Sequence, residues 1–187
     1  MNIIKTKTHY NSDILTQNIY DLLRQFPFLD AQIIGNSVLN KPIYCIKIGI
    51  GSKQVFYSAS FHANESITSL LLMKFIEDFC TTYTNNQNFY GYSAHTLFNN
   101  YSIFIAPMVN PDGADLVNGN LSTKSSYYIK AKNISRKFPG IPFPDGWKAN
   151  IRGVDLNLQF PAGWENSKKI KFSQGFTRTK SKRFCWI

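Results

Sequence analysis

A predicted strand that runs directly into a His-x-x-Glu pair occupies residues 55–65, with the sequence VFYSASFHANE. His62 and Glu65 are three residues apart, so a nitrogen and a carboxylate oxygen can turn toward one point. Zn²⁺ takes both kinds of ligand. The same residues are also typical of an ordinary helix start, in which Asn64 or Ser66 caps the helix and Glu65 interacts favourably with its dipole. This segment alone leaves both interpretations open.

The composition predicts one globular domain. The chain has 187 residues, of which 43% are hydrophobic and 15% aromatic, enough to bury a core. Its sequence has no apolar run of the length that a membrane span needs. Because the first 13 residues carry no apolar signal core, we expect a cytoplasmic protein. Cys45, Cys80 and Cys185 are an odd number without metal-ligand spacing, which favours free thiols in a reducing compartment.

The positive charge is concentrated near one end. The formal net charge is +10, but seven of the 21 Lys and Arg residues lie in residues 168–187, which contain no acid. The preceding 167 residues then hold 14 basic and 11 acidic side chains. A basic tail binds polyanions without specificity. We therefore expect no specific nucleic-acid partner.

Hydrophobic periodicity predicts alternating helices and strands, the pattern of an α/β fold. Helices are predicted over residues 12–26 and 66–81, and strands over 33–38, 43–50, 55–61, 101–109 and 154–158. Residues 84–101 are interpreted as a loop and residues 114–150 as a long irregular excursion. Residues 110–113 (NPDG) have the composition of a tight turn, in which Asp112 serves as a turn or cap acid.

Three segments, FHANE (61–65), MVNPDG (108–113) and GVDLNLQFPAGW (153–164), occur in this order. Together they resemble the zinc carboxypeptidase A-like metallopeptidase family, in particular the bacterial branch that cleaves γ-D-glutamyl–diamino acid bonds in cell-wall peptides. The resemblance makes residues 10–177 a partial catalytic domain and leaves residues 178–187 as a basic tail outside it.

The resemblance implies a three-layer α/β/α fold with a mixed, mostly parallel sheet that is incomplete at its C-terminal side. The site would lie at the carboxyl ends of central strands. His62 and Glu65 would be zinc ligands, near each other at the end of the 55–61 strand. In the family, a third ligand, a His, and a catalytic Glu that activates water at the zinc both follow the DLN segment. The implied substrate is a peptidoglycan-derived peptide.

Several positions depart from the family pattern. Carboxypeptidases proper have arginines in HxRE and DxNR motifs, and Asn64 and Leu158 stand at those positions here. The clamp on a C-terminal carboxylate is therefore expected to be absent, since neither residue replaces a bidentate guanidinium. Asn157 keeps the substrate-contacting Asn of the family. Lys148 or Arg152 would supply a positive charge near the oxyanion.

No residue of this sequence matches the third zinc ligand or the general base that the resemblance implies. The histidines are His9, His62 and His95, and Glu165 is the only acid after Asp155. A frameshift or premature stop near Arg178 would produce such a sequence. Two hypotheses follow: a peptidase by family, or an inactive remnant that at most binds cell-wall peptides weakly. A cell-wall or spore association is the alternative to a cytoplasmic location.

Further expectations concern individual side chains. His9 and His95 are expected at the surface, and Trp147 and Trp164 in packing. If residues 154–158 form a strand, Asp155 and Asn157 point the same way. Either both face the site, or Asp155 is a buried hydrogen-bonded support. The absent strands should also leave the sheet with an exposed flank, which invites aggregation.

Overall fold

The computed structural model describes residues 3–6 and 9–174 of the chain. Its elements, in chain order, are α1 (Ser12–Gln25), β1 (Asp30–Asn36), β2 (Pro42–Ile48), β3 (Lys53–Ser58), α2 (Ser66–Thr84), β4 (Asn88–Phe89), β5 (Tyr92–Ser93), α3 (Ala94–Asn100), β6 (Tyr101–Ala106), α4 (Pro111–Val117), α5 (Ser126–Ser135), a 3₁₀ turn (Leu156–Leu158) and α6 (Trp164–Ser173). Among the described helices, none is both long and apolar enough to cross a membrane.

The main sheet has the strand order β1–β2–β6–β3. β2 pairs antiparallel with β1 and with β6, whereas β3 pairs parallel with β6 in a register that runs without a shift from Lys53↔Tyr101 to Ser58↔Ala106. The α/β class and the mixed sheet are therefore confirmed. In the described part of the sheet, one of the three pairings is parallel.

The core lies on one face of this sheet. Alternate residues of β2 (Tyr44, Ile46 and Ile48) are buried there, as the two-residue period of a strand requires. The apolar sides of α1 and α2 pack on the same core, and Met73 and Ile76 of α2 are fully buried. A second cluster, which includes Ala63, Leu116 and Trp147, lies beneath the candidate site.

Several local predictions are wrong. Residues 84–101 contain the β4–β5 hairpin and α3, not a loop, and residues 114–150 contain most of α4 and all of α5. The NPDG segment is not a free turn, because it forms the first turn of α4 with the Asn110 side chain as its cap. Residues 154–158 form a 3₁₀ turn instead of a strand. The lengths of α1, α2 and β2 agree with the sequence to within three residues.

Two buried carboxylates on α4 join three parts of the chain. Asp115 accepts hydrogen bonds from the backbone N–H and hydroxyl of Ser12 and pairs with the Lys41 ammonium. Asp112 accepts from the Ser37 hydroxyl at 2.7 Å and from the Leu39 N–H at 3.0 Å. Asp112 therefore lies in the first turn of α4 as a buried link to the β1–β2 turn, so of the predicted turn or cap role the cap role is wrong.

Asp112 is expected to make stability depend on pH. Burial raises the pKa of this carboxyl above its ordinary value of 3.8, against the opposing effect of its hydrogen bonds. The folded chain then holds this proton to higher pH than the unfolded chain. Its contribution to the free energy of unfolding should therefore fall as pH rises from about 4 through the raised pKa.

The measurement is urea unfolding of the wild type and of Asp112→Asn between about pH 4 and 7, the range that starts at the ordinary Asp pKa. An amide can accept from Leu39 and donate to Ser37, so the replacement keeps the contacts without the titration. The difference in free energy of unfolding should shift with pH in favour of the variant as pH rises. A difference that is constant over this range would show that Asp112 does not titrate in this way.

Candidate metal centre

His62 and Glu65 lie together in the connection between β3 and α2. The Nδ1 atom of His62 is 3.0 Å from Oε1 of Glu65, and the His62 side chain is 17% exposed. This confirms the predicted proximity at the carboxyl end of the strand. Neither Asn64 nor Ser66 caps α2: its N-cap residue is Glu65, without a side-chain hydrogen bond to the helix. The capping that the ordinary helix-start interpretation expected is therefore not seen.

Hydrogen bonds hold the connection in a fixed shape before His62. Ser60 has a left-handed backbone conformation (φ 47°), which is unusual for a residue with a side chain. Its hydroxyl lies 2.6 Å from the Ser69 hydroxyl, and its N–H donates to the hydroxyl of Thr68. Contacts with two residues of α2 thus stabilise the turn that presents His62.

Asn110 ties this connection to the rest of the site. Its amide nitrogen donates to the carbonyl oxygens of Phe61 and Ala149, at 3.2 and 3.1 Å, while its Oδ1 caps α4 by accepting from Gly113 N–H. A β-carbon at Gly113 would lie 2.7 Å from the Ala63 side chain. The NPDG segment therefore supports the site wall through Asn110 and through the close approach at Gly113. These contacts were not predicted from the sequence.

Asp155 contacts the other ring nitrogen of His62. Its Oδ1 is 3.2 Å from Nε2 and also accepts the Asn157 N–H at 3.1 Å, and its side chain is 11% exposed. Of the two alternatives for Asp155, the buried support is confirmed, whereas the strand alternation that would turn it the same way as Asn157 is wrong. The turn forms because the Asp155 side chain accepts the backbone N–H of Asn157, two residues further along the chain.

His62 and Glu65 are placed as two of the protein ligands that a zinc site uses. With the ring proton on Nε2 and donated to Asp155, Nδ1 keeps its lone pair on the side of Glu65. A carboxylate that orients a ligating His in this way is the usual support of a zinc site. Within residues 3–6 and 9–174, no group of three or more His, Cys, Asp or Glu side chains is arranged to hold a metal. His62 and Glu65 therefore offer a partial donor set.

The remaining histidines and acids lie elsewhere. His9 is exposed, as expected, and His95 is partly buried, with its ring centroid 4.2 Å from that of Tyr83. Glu165 is exposed in the first turn of α6. Trp147 is a packing anchor at 4% exposure, whereas Trp164 is half-buried and has the Lys168 ammonium 4.8 Å from its ring. Cys45 and Cys80 are free thiols, and Cys185 lies outside the described residues.

The predicted substrate-contacting residues Lys148, Arg152 and Asn157 have exposed side chains. Lys148 is placed by its carbonyl oxygen, which accepts the Ala63 N–H at 3.0 Å. Arg152 lies in the turn before Asp155, and Asn157 lies in the 3₁₀ turn after it. Asn64 has a buried Oδ1 without a hydrogen-bond partner in the described part of the chain. An unsatisfied acceptor beside the pair was not predicted, and the sequence carries no signal for it.

Asp155 is expected to control zinc affinity through His62. Asp155→Ala should weaken zinc binding by about tenfold or more, because partners of ligating His residues typically contribute that much. Asp155→Asn should lose less, since an amide oxygen still accepts from Nε2. The His62 ring resonances in a zinc titration followed by NMR give both affinities. Asp145→Ala, at an exposed neighbouring acid, is the matched control. Equal affinities in Asp155→Ala and wild type would remove Asp155 from the site.

Comparison with known proteins adds to this geometry. The zinc carboxypeptidase family model matches residues 15–182. The chain is 43% identical over 164 residues to gamma-D-glutamyl-L-diamino acid endopeptidase 1 of Lysinibacillus sphaericus, covering 87% of this chain and 40% of that protein. It is 38% identical over 170 residues to the uncharacterized protein YqgT of Bacillus subtilis, covering 90% and 44%. The chain thus spans less than half the length of these relatives.

Solved structures agree on the fold. Bovine thrombin-activatable fibrinolysis inhibitor, in complex with tick carboxypeptidase inhibitor, superposes with a TM-score of 0.58 at 19% identity, covering 83% of this chain and 44% of that one. A second structure of this inhibitor protein gives a TM-score of 0.62 at 17% identity, covering 86% and 37%. The family match over most of the chain, the relatives and the shared fold lead to one conclusion: the chain belongs to the zinc carboxypeptidase family of metallopeptidases.

Proposed function

We propose that His62 and Glu65 are two ligands of a zinc site that serves the hydrolysis of γ-D-glutamyl–diamino acid amide bonds in peptidoglycan peptides. The observation that carries the metal role is the 3.0 Å approach of His62 Nδ1 to Glu65 Oε1, with Asp155 on the opposite ring nitrogen. The support for the substrate class is the 43% identity to a protein named for that bond.

The chain's own groups prepare this site in three ways. Asp155 lies 3.2 Å from Nε2 of His62, and in the tautomer with the ring proton on Nε2 it accepts that N–H and leaves the Nδ1 lone pair to bind metal. Glu65 contributes an oxygen on the same side. Zinc, when bound, supplies Lewis-acid polarisation of the scissile carbonyl. Lys148 or Arg152, both exposed beside the site, would place a positive charge near the oxyanion.

Substrate selection follows from the residues at the arginine positions of carboxypeptidases. Asn64 and Leu158 cannot form a bidentate grip on a terminal carboxylate. Asn64 instead carries an uncharged amide, whose Oδ1 is buried and has no hydrogen-bond partner among the described residues. The exposed amide of Asn157 would contact the peptide from the other side. These features disfavour an ordinary protein C-terminus as the substrate.

A second candidate function is weak peptide binding without catalysis. Two ligand groups lie together among the described residues, and the sequence contains no His after the DLN segment. The family's general base also has no matched residue in this sequence. The chain by itself is therefore proposed to be inactive.

Peptide binding tests the proposed substrate class without requiring turnover. A γ-D-glutamyl–diaminopimelate peptide, titrated into the zinc-supplemented chain, should shift the amide NMR signals of residues 62–65 and 148–157. An α-linked peptide of the same residues is the matched control and should bind at least several-fold more weakly. Asn157→Ala should reduce the shifts for the first peptide. Equal binding of both peptides, or shifts confined to other parts of the chain, would contradict the proposal.

A further inference from the structure

Aromatic side chains are exposed both at the sheet edge and at the β4–β5 hairpin. On the edge strand β3, Phe56 and Tyr57 are 60% and 47% exposed, so the expected exposed flank is confirmed in the described part of the sheet. These two side chains project to opposite faces and form no common surface, and the aggregation expected from the flank stays a prediction. On the hairpin, Tyr90 and Tyr92 are 88% and 69% exposed.

The hairpin holds its two exposed tyrosines beside one anchoring ring. Phe89 is the direct partner of Tyr92 across the two strands, so these two side chains share a face. The Tyr90 ring contacts the Phe89 ring edge-on, with centroids 4.8 Å apart. Phe89 also packs against Phe75 and Phe79 of α2, which anchors the hairpin on the core. We call Tyr90 and Tyr92, which both neighbour Phe89, the tyrosine pair.

The hairpin turn uses a residue that suits its backbone poorly. Tyr90 and Gly91 are the two central residues of the turn, and their φ angles are 49° and 88°. Positive φ at both positions is the mark of a type I′ turn, for which Asn-Gly is a preferred sequence. A bulky side chain at positive φ is uncommon and costs free energy. Because Tyr90 is also largely exposed, a role outside the fold explains its presence better than packing does.

The hairpin lies in a long segment without acids or strong bases. Residues 79–111 contain no Asp, Glu, Lys or Arg, although 17% of the chain is charged and its net charge is +10. Residues 85–87, just before β4, are Asn-Asn-Gln, and all three side chains are exposed. The Gln87 carbonyl accepts the Ala94 N–H, which continues the hairpin ladder and puts the Gln87 side chain on the face of Phe89. Since charged ligands are recognised by opposite charges, this surface suits an uncharged ligand.

We infer that the tyrosine pair, with the Gln87 amide beside it, binds an uncharged glycan chain. The flat side of a pyranose ring exposes C–H groups, and the face of an aromatic ring carries the partial negative charge that attracts them. Tyr hydroxyls and side-chain amides donate and accept hydrogen bonds, as sugar hydroxyls do. Each strand of the hairpin has two residues, too few to bury the about 800 Å² per partner of a stable protein interface. A sugar is therefore a better occupant than a protein.

The test is a titration of the full chain with the tetramer of N-acetylglucosamine, followed by the NMR signals of the tyrosine rings. We expect saturable shifts of the Tyr90 and Tyr92 signals. Tyr90→Asn should weaken binding about fivefold or more, because it removes one of the two stacking faces. Tyr20→Ala, at a tyrosine of α1 that is 54% exposed, is the matched control and should bind the tetramer as the wild type does.

Stability separates a binding role of Tyr90 from a structural one. Tyr90→Asn should raise the midpoint of urea unfolding, since Asn-Gly suits the turn, while it lowers the affinity for the tetramer. A tyrosine that serves packing would instead lose stability on this substitution, which would overturn the inference.

Four further results would overturn it. They are a wild-type chain that does not bind the tetramer, unchanged affinity in Tyr90→Asn, an equal loss in Tyr20→Ala, and a dimer that shifts the same ring signals without sugar. The inference is independent of the proposed hydrolysis, so His62→Ala should bind the tetramer as the wild type does. Failure of the proposed metal role would therefore leave it standing.

Discussion

The isolated chain, supplied with zinc, is expected to hydrolyse no γ-D-glutamyl–diaminopimelate peptide above the background rate. The reaction needs a fixed metal, a base that takes a proton from water and a donor for the developing oxyanion. The described residues offer two ligand groups, and the sequence has no matched base. A general base contributes about 10²–10⁴-fold to the rate, and an imprecisely placed metal compounds that loss.

The measurement is product release followed by chromatography over a long incubation. His62→Ala serves as the control for contaminating peptidase, since it removes a proposed ligand without changing purification. Wild type and variant should give the same background. Turnover by the wild type that His62→Ala abolishes would show that the chain completes its site by another route, and the inactive-chain proposal would be wrong.

Asp115→Ala is expected to cause the largest loss of stability among the substitutions considered. The Asp115 side chain is 1% exposed and holds the N-terminus of α1 and the Lys41 ammonium at once. Removing it leaves Ser12 donors and a partly buried charge without their acceptor. Breaking such a buried pair typically costs about 3–5 kcal/mol, and the lower end applies because Lys41 retains some contact with water.

Urea unfolding at neutral pH measures this loss. Asp78→Ala is the matched control, because Asp78 pairs with Lys74 on α2 but its side chain is 50% exposed. The control should lose less than about 1 kcal/mol, as exposed pairs do. An Asp115→Ala variant as stable as the control would show that the three connected parts of the chain do not depend on this carboxylate.

The elements that the sequence predicted well are those whose burial imposes a period. β2 alternates because one face is buried, and α2 is long and apolar because it covers the core. α5 was missed because Ala131 is its one buried residue, so its sequence shows no apolar stripe. α3 was missed because it is short and polar, with the Ser93 hydroxyl as its cap. A helix that buries few side chains shows little hydrophobic periodicity in its sequence, so the sequence does not reveal it.

In the candidate site, the contact between residues close in sequence was predicted, whereas the contacts between residues far apart in sequence were not. The His62–Glu65 pair was predictable because three residues of local spacing bring its atoms together. The contact between Asp155 and His62 spans 93 residues, and the link from Asn110 to Ala149 spans 39. Apolar alternation favoured a strand at residues 154–158, but the Asp155 side chain accepts a nearby backbone N–H and forms a turn. Polar contacts of this kind depend on tertiary placement and leave no periodic pattern.

Zinc titration of the purified chain by calorimetry, beside His62→Ala and Glu65→Gln, tests the central claim that His62 and Glu65 form a partial zinc site. With two protein ligands and water in the remaining positions, we expect one equivalent of zinc to bind more weakly than about 1 μM, since structural and catalytic sites use three or four protein ligands. His62→Ala should abolish this binding and Glu65→Gln should weaken it strongly. Zinc binding that is unchanged in His62→Ala would contradict the account.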